Sequence, residues 1–228
     1  MAGYGHGKRG QRWSAIVEDG VVKELNVEAP GKFEVSDADT MLAQAKIALE
    51  AGGVRVLMLD TLEEGRHGGA FCDTRAKWLR STLAQDRNTP TIIAMHHPPV
   101  EIGIAWMNTH AEEQWVSNFT RAIEDAPNVK GIICGHVHRS IAVPWQGTSV
   151  AICSSTAPQV ALDLNPIDPE NPDDRPMIVA DQPAYALHLW NGRELVSHFD
   201  SAGDRAVLAK YDDRLQALIK QLIVERPN

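Results

Sequence analysis

The 228-residue chain carries 30 acidic and 22 basic side chains, a formal net charge of −8, and 43% of its residues are hydrophobic. This length and apolar content suffice for one packed domain with a small appendage. The negative balance argues against nucleic-acid or anionic-membrane partners, which require basic surface. It does not argue against a site that binds metal cations.

The cysteine content and the hydropathy of the sequence indicate the cellular compartment. Cys72, Cys134 and Cys153 include no Cys-x-x-Cys pair, which argues against a disulfide framework or a cysteine zinc site and fits a reducing cytosol. No apolar run approaches the ~20 residues of a membrane span. The first residues are partly basic but lack the apolar segment of a secretory signal. We therefore expect a cytoplasmic protein.

The N-terminal part predicts a β-hairpin followed by a helix. Residues 11–18 and 21–28 are rich in β-forming side chains, and Asp19-Gly20 between them is a favoured two-residue turn. Residues 36–51 then show a capping box and apolar positions at helical spacing.

Residues 54–134 alternate between short apolar runs and helical patterns. The runs 54–59, 91–95 and 129–134 predict buried strands, with helices beginning near Asp73 and Thr109. Such alternation is typical of a mostly parallel sheet covered on both faces, an α/β fold. The helical core residues are predicted to be Ala76, Leu79, Leu83, Trp115, Val116, Phe119 and Ile123.

After residue 140 the pattern changes. Two strands are predicted within 140–153 and a hairpin within 184–199, separated by a Pro- and Asp-rich loop at 163–183. A helix is predicted from Asp204 to the C-terminus. Five of its residues have the spacing of a coiled-coil seam: Leu208, Tyr211, Leu215, Leu218 and Leu222. Packing on the chain's own sheet and pairing with a partner helix both explain this spacing, and the short run favours the first.

Two pairs of histidines follow predicted strands directly. His96 and His97 come after the second strand, and His136 and His138 come after the third and Gly135. Because ligands collect beyond the carboxyl ends of parallel strands, both pairs should lie on one rim of the sheet. Isolated histidines elsewhere, such as His67, are expected to face solvent or line the rim.

The spacing of the second pair favours convergence. Gly135 would allow the chain to turn, and residues two apart in extended backbone point to the same side. Neutral imidazole is a common ligand for zinc, iron and manganese. Hydrogen-bonded rim residues would explain either pair alone equally well, but the two pairs together favour a metal site.

The motifs "HHPP" (96–99) and "GHVH" (135–138) resemble late motifs of the calcineurin-like metallophosphoesterases. Flanking stretches, including residues 56–84 and 154–164, are similar to the class III cyclic nucleotide phosphodiesterase and glycerophosphodiesterase branch. The resemblance runs from about residue 47 to about residue 200. It implies a metallophosphoesterase α/β sandwich and a small phosphodiester substrate.

By this resemblance, His96, His136 and His138 are ligands of a two-metal centre that uses iron, manganese or zinc. His97, Asp60 and the "IGIAWMN" loop (102–108) would line or support the site. The catalytic residues are not assigned.

The early motifs of the same family do not occur in the sequence. It contains no Asp-x-His and no Gly-Asn-His, and its only Gly-Asp is Gly203-Asp204, past the matching region. A two-metal centre needs a carboxylate that bridges the ions. We therefore expect a partial sandwich without the N-terminal half of the fold, about one bound ion rather than two, and impaired hydrolysis. A non-catalytic metal-binding remnant is the alternative.

Residues 5–45 instead resemble the C-terminal end of the peroxiredoxin family, with Arg12 at the position of the active-site arginine. No cysteine precedes Cys72, so a thiol peroxidase is the least favoured function. The expected parts are 1–45, 46–203 and 204–228, whether joined by natural fusion or by gene rearrangement. A sheet without its first strands would leave an edge that the hairpin or a second chain could cover, which makes a homo-oligomer one of the expected arrangements.

Overall fold

A computed structural model describes residues 13–18, 21–27, 53–156 and 158–226 of the chain. The helix predicted over residues 36–51, which contains the predicted junction at residue 45, lies outside these ranges. Within them, no helix combines the length and the apolar character needed to cross a membrane.

The predicted N-terminal hairpin is confirmed. Strand β1 (Trp13–Glu18) pairs antiparallel with β2 (Val21–Val27). The pairing register shifts between Ile16 and Val17, an irregularity of the kind that bends a strand locally.

The centre of the described chain is a five-stranded sheet. Its strands are β3 (Arg55–Leu59), β4 (Thr91–Met95), β5 (Val129–Cys134), β6 (Ile141–Trp145) and β7 (Thr148–Ile152). They lie in the order β3-β4-β5-β7-β6. All neighbours are parallel except β6, which pairs antiparallel with β7. The predicted α/β class with a mostly parallel sheet is confirmed.

Two helices and a short 3-10 segment connect the strands: α1 (Asp73–Gln85), the 3-10 turn (Ala105–Met107) and α2 (Gln114–Ile123). All seven predicted helical core residues are buried and belong to one apolar cluster with the sheet. Helix α2 begins later than the expected start near Thr109. The side chain of Glu113 explains this, because it accepts hydrogen bonds from the His110 backbone N–H and the Trp115 indole N–H just before the first turn.

The C-terminal part adds small antiparallel pairs. Strand β8 (Gln159–Val160) pairs with β9 (Ile178–Val179), and β10 (Ala184–Trp190) pairs with β11 (Leu195–Ser201). The second pair confirms the predicted hairpin. It lies close to the sheet at Gly131, where an added Cβ would come within 2.7 Å of the Leu195 side chain. Apart from β9, the predicted loop at 163–183 is irregular.

The last helix is shorter than predicted. Helix α3 spans Asp213–Val224 rather than beginning at Asp204, and the Asp212 carboxylate caps its start by accepting from the Arg214 backbone N–H. Leu208 and Tyr211 lie before the helix and are exposed, so the predicted seam is reduced to three leucines. No residue of α3 is buried. This differs from the expectation that the helix packs closely on the chain's own sheet.

The pairing register of the parallel strands positions the site. Leu59 pairs with Met95, and Met95 pairs with Cys134, so three strands end at one level. A buried polar network joins their other ends. The guanidinium of Arg55 donates to the Thr91 hydroxyl at 3.0 Å, and the Asn128 amide donates to the same hydroxyl at 3.4 Å. Such a network favours one register, because sliding a strand would leave buried polar groups without partners.

Substitution of Leu79 by alanine tests this packing. Leu79 is 0% exposed in α1, so Leu79→Ala should lower the free energy of unfolding by about 2–5 kcal/mol. The matched variant Leu218→Ala, in α3 where the side chain is 48% exposed, should change it by about 0.5 kcal/mol or less. Urea unfolding followed by tryptophan fluorescence measures both, and equal losses would contradict the burial described.

Candidate metal centre

The two histidine pairs meet at the rim, as the sequence predicts. His96 follows β4 and Gly135 follows β5 at the same level, and the Gly135 backbone N–H donates to the His96 carbonyl at 3.1 Å. This bond continues the sheet ladder by one residue. It therefore sets the two histidine-bearing segments side by side where the strands end.

Three imidazoles form a compact group. One ring nitrogen each of His96, His97 and His136 lies within 4.8 Å of the other two. His96 Nε2 and His136 Nδ1 are 3.2 Å apart, and the ring centroids of His97 and His136 are 4.4 Å apart. The His96 side chain is open to solvent, whereas His97 is buried. The group can thus be reached from one side.

The turn that carries His136 and His138 differs from the expected one. The backbone is not extended there, because His136 and His138 have φ angles of 67° and 53°. Non-glycine residues rarely adopt this left-handed region, and such strain is concentrated at functional sites. Gly135 is not required for space, since an added Cβ would lie 3.6 Å from His96 Nδ1, an ordinary contact. Val137, 0% exposed between the two histidines, anchors the strained turn in the core.

His138 lies beside the three-imidazole group but is not a member of it. Its Nδ1 is 2.9 Å from the Pro158 carbonyl oxygen. A carbonyl can only accept, so Nδ1 carries the proton and Nε2 carries the lone pair. The charge of a protonated His138 contributes to lowering the pKa of both His96 and His136. The two rings therefore lie within electrostatic range of it.

His97 is held by the loop that follows β3. Its Nδ1 lies 2.8 Å from the hydroxyl of buried Thr61, and its backbone N–H donates to the same hydroxyl at 3.2 Å. A further hydrogen bond joins the ring to the backbone of His67. His97 therefore contacts the loop after β3 while it also belongs to the three-imidazole group.

The imidazoles are held in the neutral form. Burial lowers the pKa of His136 to about 3 and of His97 to about 4, and the neighbouring rings lower both further by repulsion. One side of His96 is open to solvent, but burial of the rest of the ring lowers its pKa, with repulsion from His138 and His67 next. Neutral imidazole is the form that binds metal. The group therefore presents neutral imidazoles near neutral pH.

Carboxylates do not complete the group in the described part of the chain. Asp60 directly follows β3, but one oxygen accepts from the Leu62 backbone N–H at 2.8 Å and the other forms an ion pair with Arg75. The loop 102–108 folds on itself, since the Asn108 side chain accepts from the backbone N–H groups of Ile102 and Gly103. Asp60 and Asn108 are thus both engaged in local contacts. Among the described residues, the donor group consists of imidazoles, which can bind a divalent ion.

One residue at the rim was not predicted as part of the site. His67 lies in the loop between β3 and α1 and is exposed, as expected of an isolated histidine. Its ring centroid is nevertheless 4.8 Å from that of His136. No local pattern marks it in the sequence, because the contact depends on how the loop folds back.

Comparison with known proteins agrees with this geometry. The calcineurin-like phosphoesterase family matches residues 16–140, more than half of the chain. The chain therefore belongs to the calcineurin-like phosphoesterase family. Residues 16–45 fall within this match as well as within the segment that resembles a peroxiredoxin. The peroxiredoxin likeness stays a prediction.

Individual relatives are similar over part of their length. A protein of Arcobacter nitrofigilis named a probable glycerophosphodiester phosphodiesterase GpdQ is 28% identical over 158 residues, which are 69% of this chain and 56% of the relative. The glycerophosphodiester phosphodiesterase GpdQ of Enterobacter lignolyticus is 28% identical over 75% of this chain and 58% of its own. The 3',5'-cyclic adenosine monophosphate phosphodiesterase CpdA of Escherichia coli K12 is 26% identical over 53% and 44%. The chain thus spans about half the length of the curated relatives that it matches.

The Thr61 hydroxyl can be tested by substitution. Thr61→Val should lower the free energy of unfolding by about 1–3 kcal/mol, because it leaves the buried His97 ring and backbone N–H without their partner. Thr61→Ser keeps the hydroxyl and should retain most of the stability. Chemical unfolding measures both variants. If valine and serine gave the same loss, the hydroxyl would not be what supports His97.

Proposed function

We propose that this chain binds one divalent ion through His96, His136 and His138 and provides the histidine side of a phosphodiester-hydrolysing centre. The convergence of imidazoles beyond β4 and β5 is the observation that carries the proposal. His96 and His136 approach within hydrogen-bond distance of each other, and their lowered pKa values keep them neutral. Iron, manganese and zinc all accept imidazole ligands.

The orientation of His138 supports its inclusion. Histidines that bind a metal usually donate the N–H of the other ring nitrogen to a carbonyl or carboxylate. His138 does this through Nδ1 to Pro158, which leaves the Nε2 lone pair available. His97 is a member of the three-imidazole group, but its ring also contacts Thr61 and the His67 backbone. We therefore assign ligation to His138 and support to His97.

The substrate proposed is a small phosphodiester, of the cyclic nucleotide or glycerophosphodiester type. Family membership and the names of the relatives support this class. A bound ion would supply Lewis-acid polarisation of a phosphoryl oxygen. The protein itself contributes a site that rests on the buried residues His97 and Val137 and that solvent can reach at His96.

The activity proposed for this chain alone is weak. The sequence contains neither Asp-x-His nor Gly-Asn-His, and its one Gly-Asp lies past the matching region. Both oxygens of Asp60 are already engaged. A non-catalytic metal-binding protein is the second candidate, and the same observation favours it. In that case residues 1–45 would belong to a chimeric fusion.

The proposal also includes a cytoplasmic location and pairing with a second copy of the chain. Cys72, Cys134 and Cys153 are free thiols, and Cys72 is exposed, which fits a reducing cytoplasm. Within the described residues, β3 pairs with β4 alone, so its other edge could be covered by a second copy of the chain. The acidic balance of the sequence supports neither a nucleic acid nor an anionic membrane as partner.

Metal content tests the ligand set. Elemental analysis of protein loaded with Mn²⁺ or Zn²⁺ should give about one ion per chain, because three imidazoles without a bridge suit one. His136→Ala and His138→Ala should each weaken metal affinity at least tenfold. His198→Ala, an exposed histidine of the C-terminal hairpin, should leave it unchanged. Loss of metal on His97→Ala with retention on His138→Ala would overturn the assignment of ligands.

Hydrolysis separates the two candidate functions. The metal-loaded chain should turn over bis(p-nitrophenyl) phosphate far more slowly than the ~1–1,000 per second of ordinary enzymes, because no bridging carboxylate is supplied. A slow rate that disappears with His136→Ala would support an impaired hydrolase. Tight metal binding with no rate above buffer would support the non-catalytic protein, and an ordinary enzyme rate would contradict the proposed impairment.

A further inference from the structure

We propose that His67 binds substrate at this centre by donating a hydrogen bond to a non-bridging oxygen of the phosphodiester. This inference rests on the proposed function, since it assumes that a phosphodiester binds beside the imidazole group. It adds a residue that lies outside the proposed ligand set and outside both histidine motifs.

The position of His67 is adjacent to the metal group without belonging to it. Its ring lies 4.8 Å from that of His136, tilted by 50°, yet its nitrogens fall outside the group formed by His96, His97 and His136. A charged His67 would also lower the pKa of each of those three residues. A side chain in this position would lie beside a substrate bound to the ion.

The ring of His67 retains hydrogen-bonding capacity. Its contact in the described part of the chain is with a thioether, Nε2 lying 3.4 Å from Met107 Sδ. Sulfur of this kind is a weak acceptor, and the residue is exposed. A neutral imidazole keeps one N–H donor, so a contact with a phosphoryl oxygen does not require the ring to be protonated.

Backbone contacts restrain the loop that carries His67. The His97 ring hydrogen-bonds the His67 backbone, and the Ala70 N–H donates to the Thr61 carbonyl at 2.9 Å, which closes the loop. Gly69 packs so tightly that an added Cβ would lie 2.8 Å from the Trp115 ring and 3.0 Å from His97 Cβ. Restraint of this kind reduces the entropy lost when a ligand is bound.

Two carboxylates of the loop that carries His67 have cationic partners. Glu63 pairs with Arg66 at 2.9 Å, and Asp60, at the start of the same loop, pairs with Arg75. These cations offset part of the acidic charge of the loop.

Binding of a phosphodiester by the Mn²⁺-loaded chain of 228 residues tests the inference. The probe is bis(p-nitrophenyl) phosphate, with affinity measured by isothermal titration calorimetry and metal content measured on the same samples. His67→Ala should weaken probe binding about tenfold, the effect of losing a hydrogen bond to a charged group. His67→Gln retains an N–H donor and should stay within about threefold of the wild type. His198→Ala should leave binding unchanged, and all variants should keep the same metal content.

The outcomes are distinguishable. A wild-type chain that binds no metal would overturn the proposed function and this inference together. Unchanged metal with equal probe affinity in the wild type and His67→Ala would overturn the inference alone. A wild-type chain that holds metal but binds no probe would also overturn the inference alone. A His67→Ala chain that loses its metal would do the same, because His67 would then act on the ion rather than on the substrate.

Discussion

The common level at which three parallel strands end is the constraint on which the site depends. Leu59, Met95 and Cys134 are paired across β3, β4 and β5, and the buried network around Thr91 joins the opposite ends of these strands. A slip of one residue would turn every side chain of a strand to the other face. The register therefore decides both that the apolar core closes and that His96 and His136 emerge side by side.

Further contacts around these histidines fix their geometry. The turn through His136 and His138 is strained, and it persists because Val137 is fully buried and Pro158 accepts from His138. On the other side, Thr61 holds His97, and His97 holds the loop that carries His67. Strain of this kind costs about 1–3 kcal/mol per residue, and the well-packed core beneath the rim offsets it.

The described group at the rim consists of imidazoles. Neutral imidazoles can bind a divalent ion, whereas the Asp60 carboxylate after β3 is engaged by Arg75 and the loop backbone. Two-metal hydrolysis requires an anionic bridge as well as neutral ligands. The chain matches about half the length of these relatives.

The sequence by itself determined the α/β class, the bounds of most strands and of helix α1, and the position of both histidine pairs, because apolar runs, helical spacing and strand ends are local signals. It did not determine the start of the last helix, where the Asp212 cap outweighs apolar spacing. Nor could it show the left-handed turn at His136 or the approach of His67. The turn and the position of His67 depend on the burial of Val137 and on the tertiary contacts of Thr61 and Gly69. Only the tertiary structure decides these two features, because residues distant in the sequence meet after the sheet has closed.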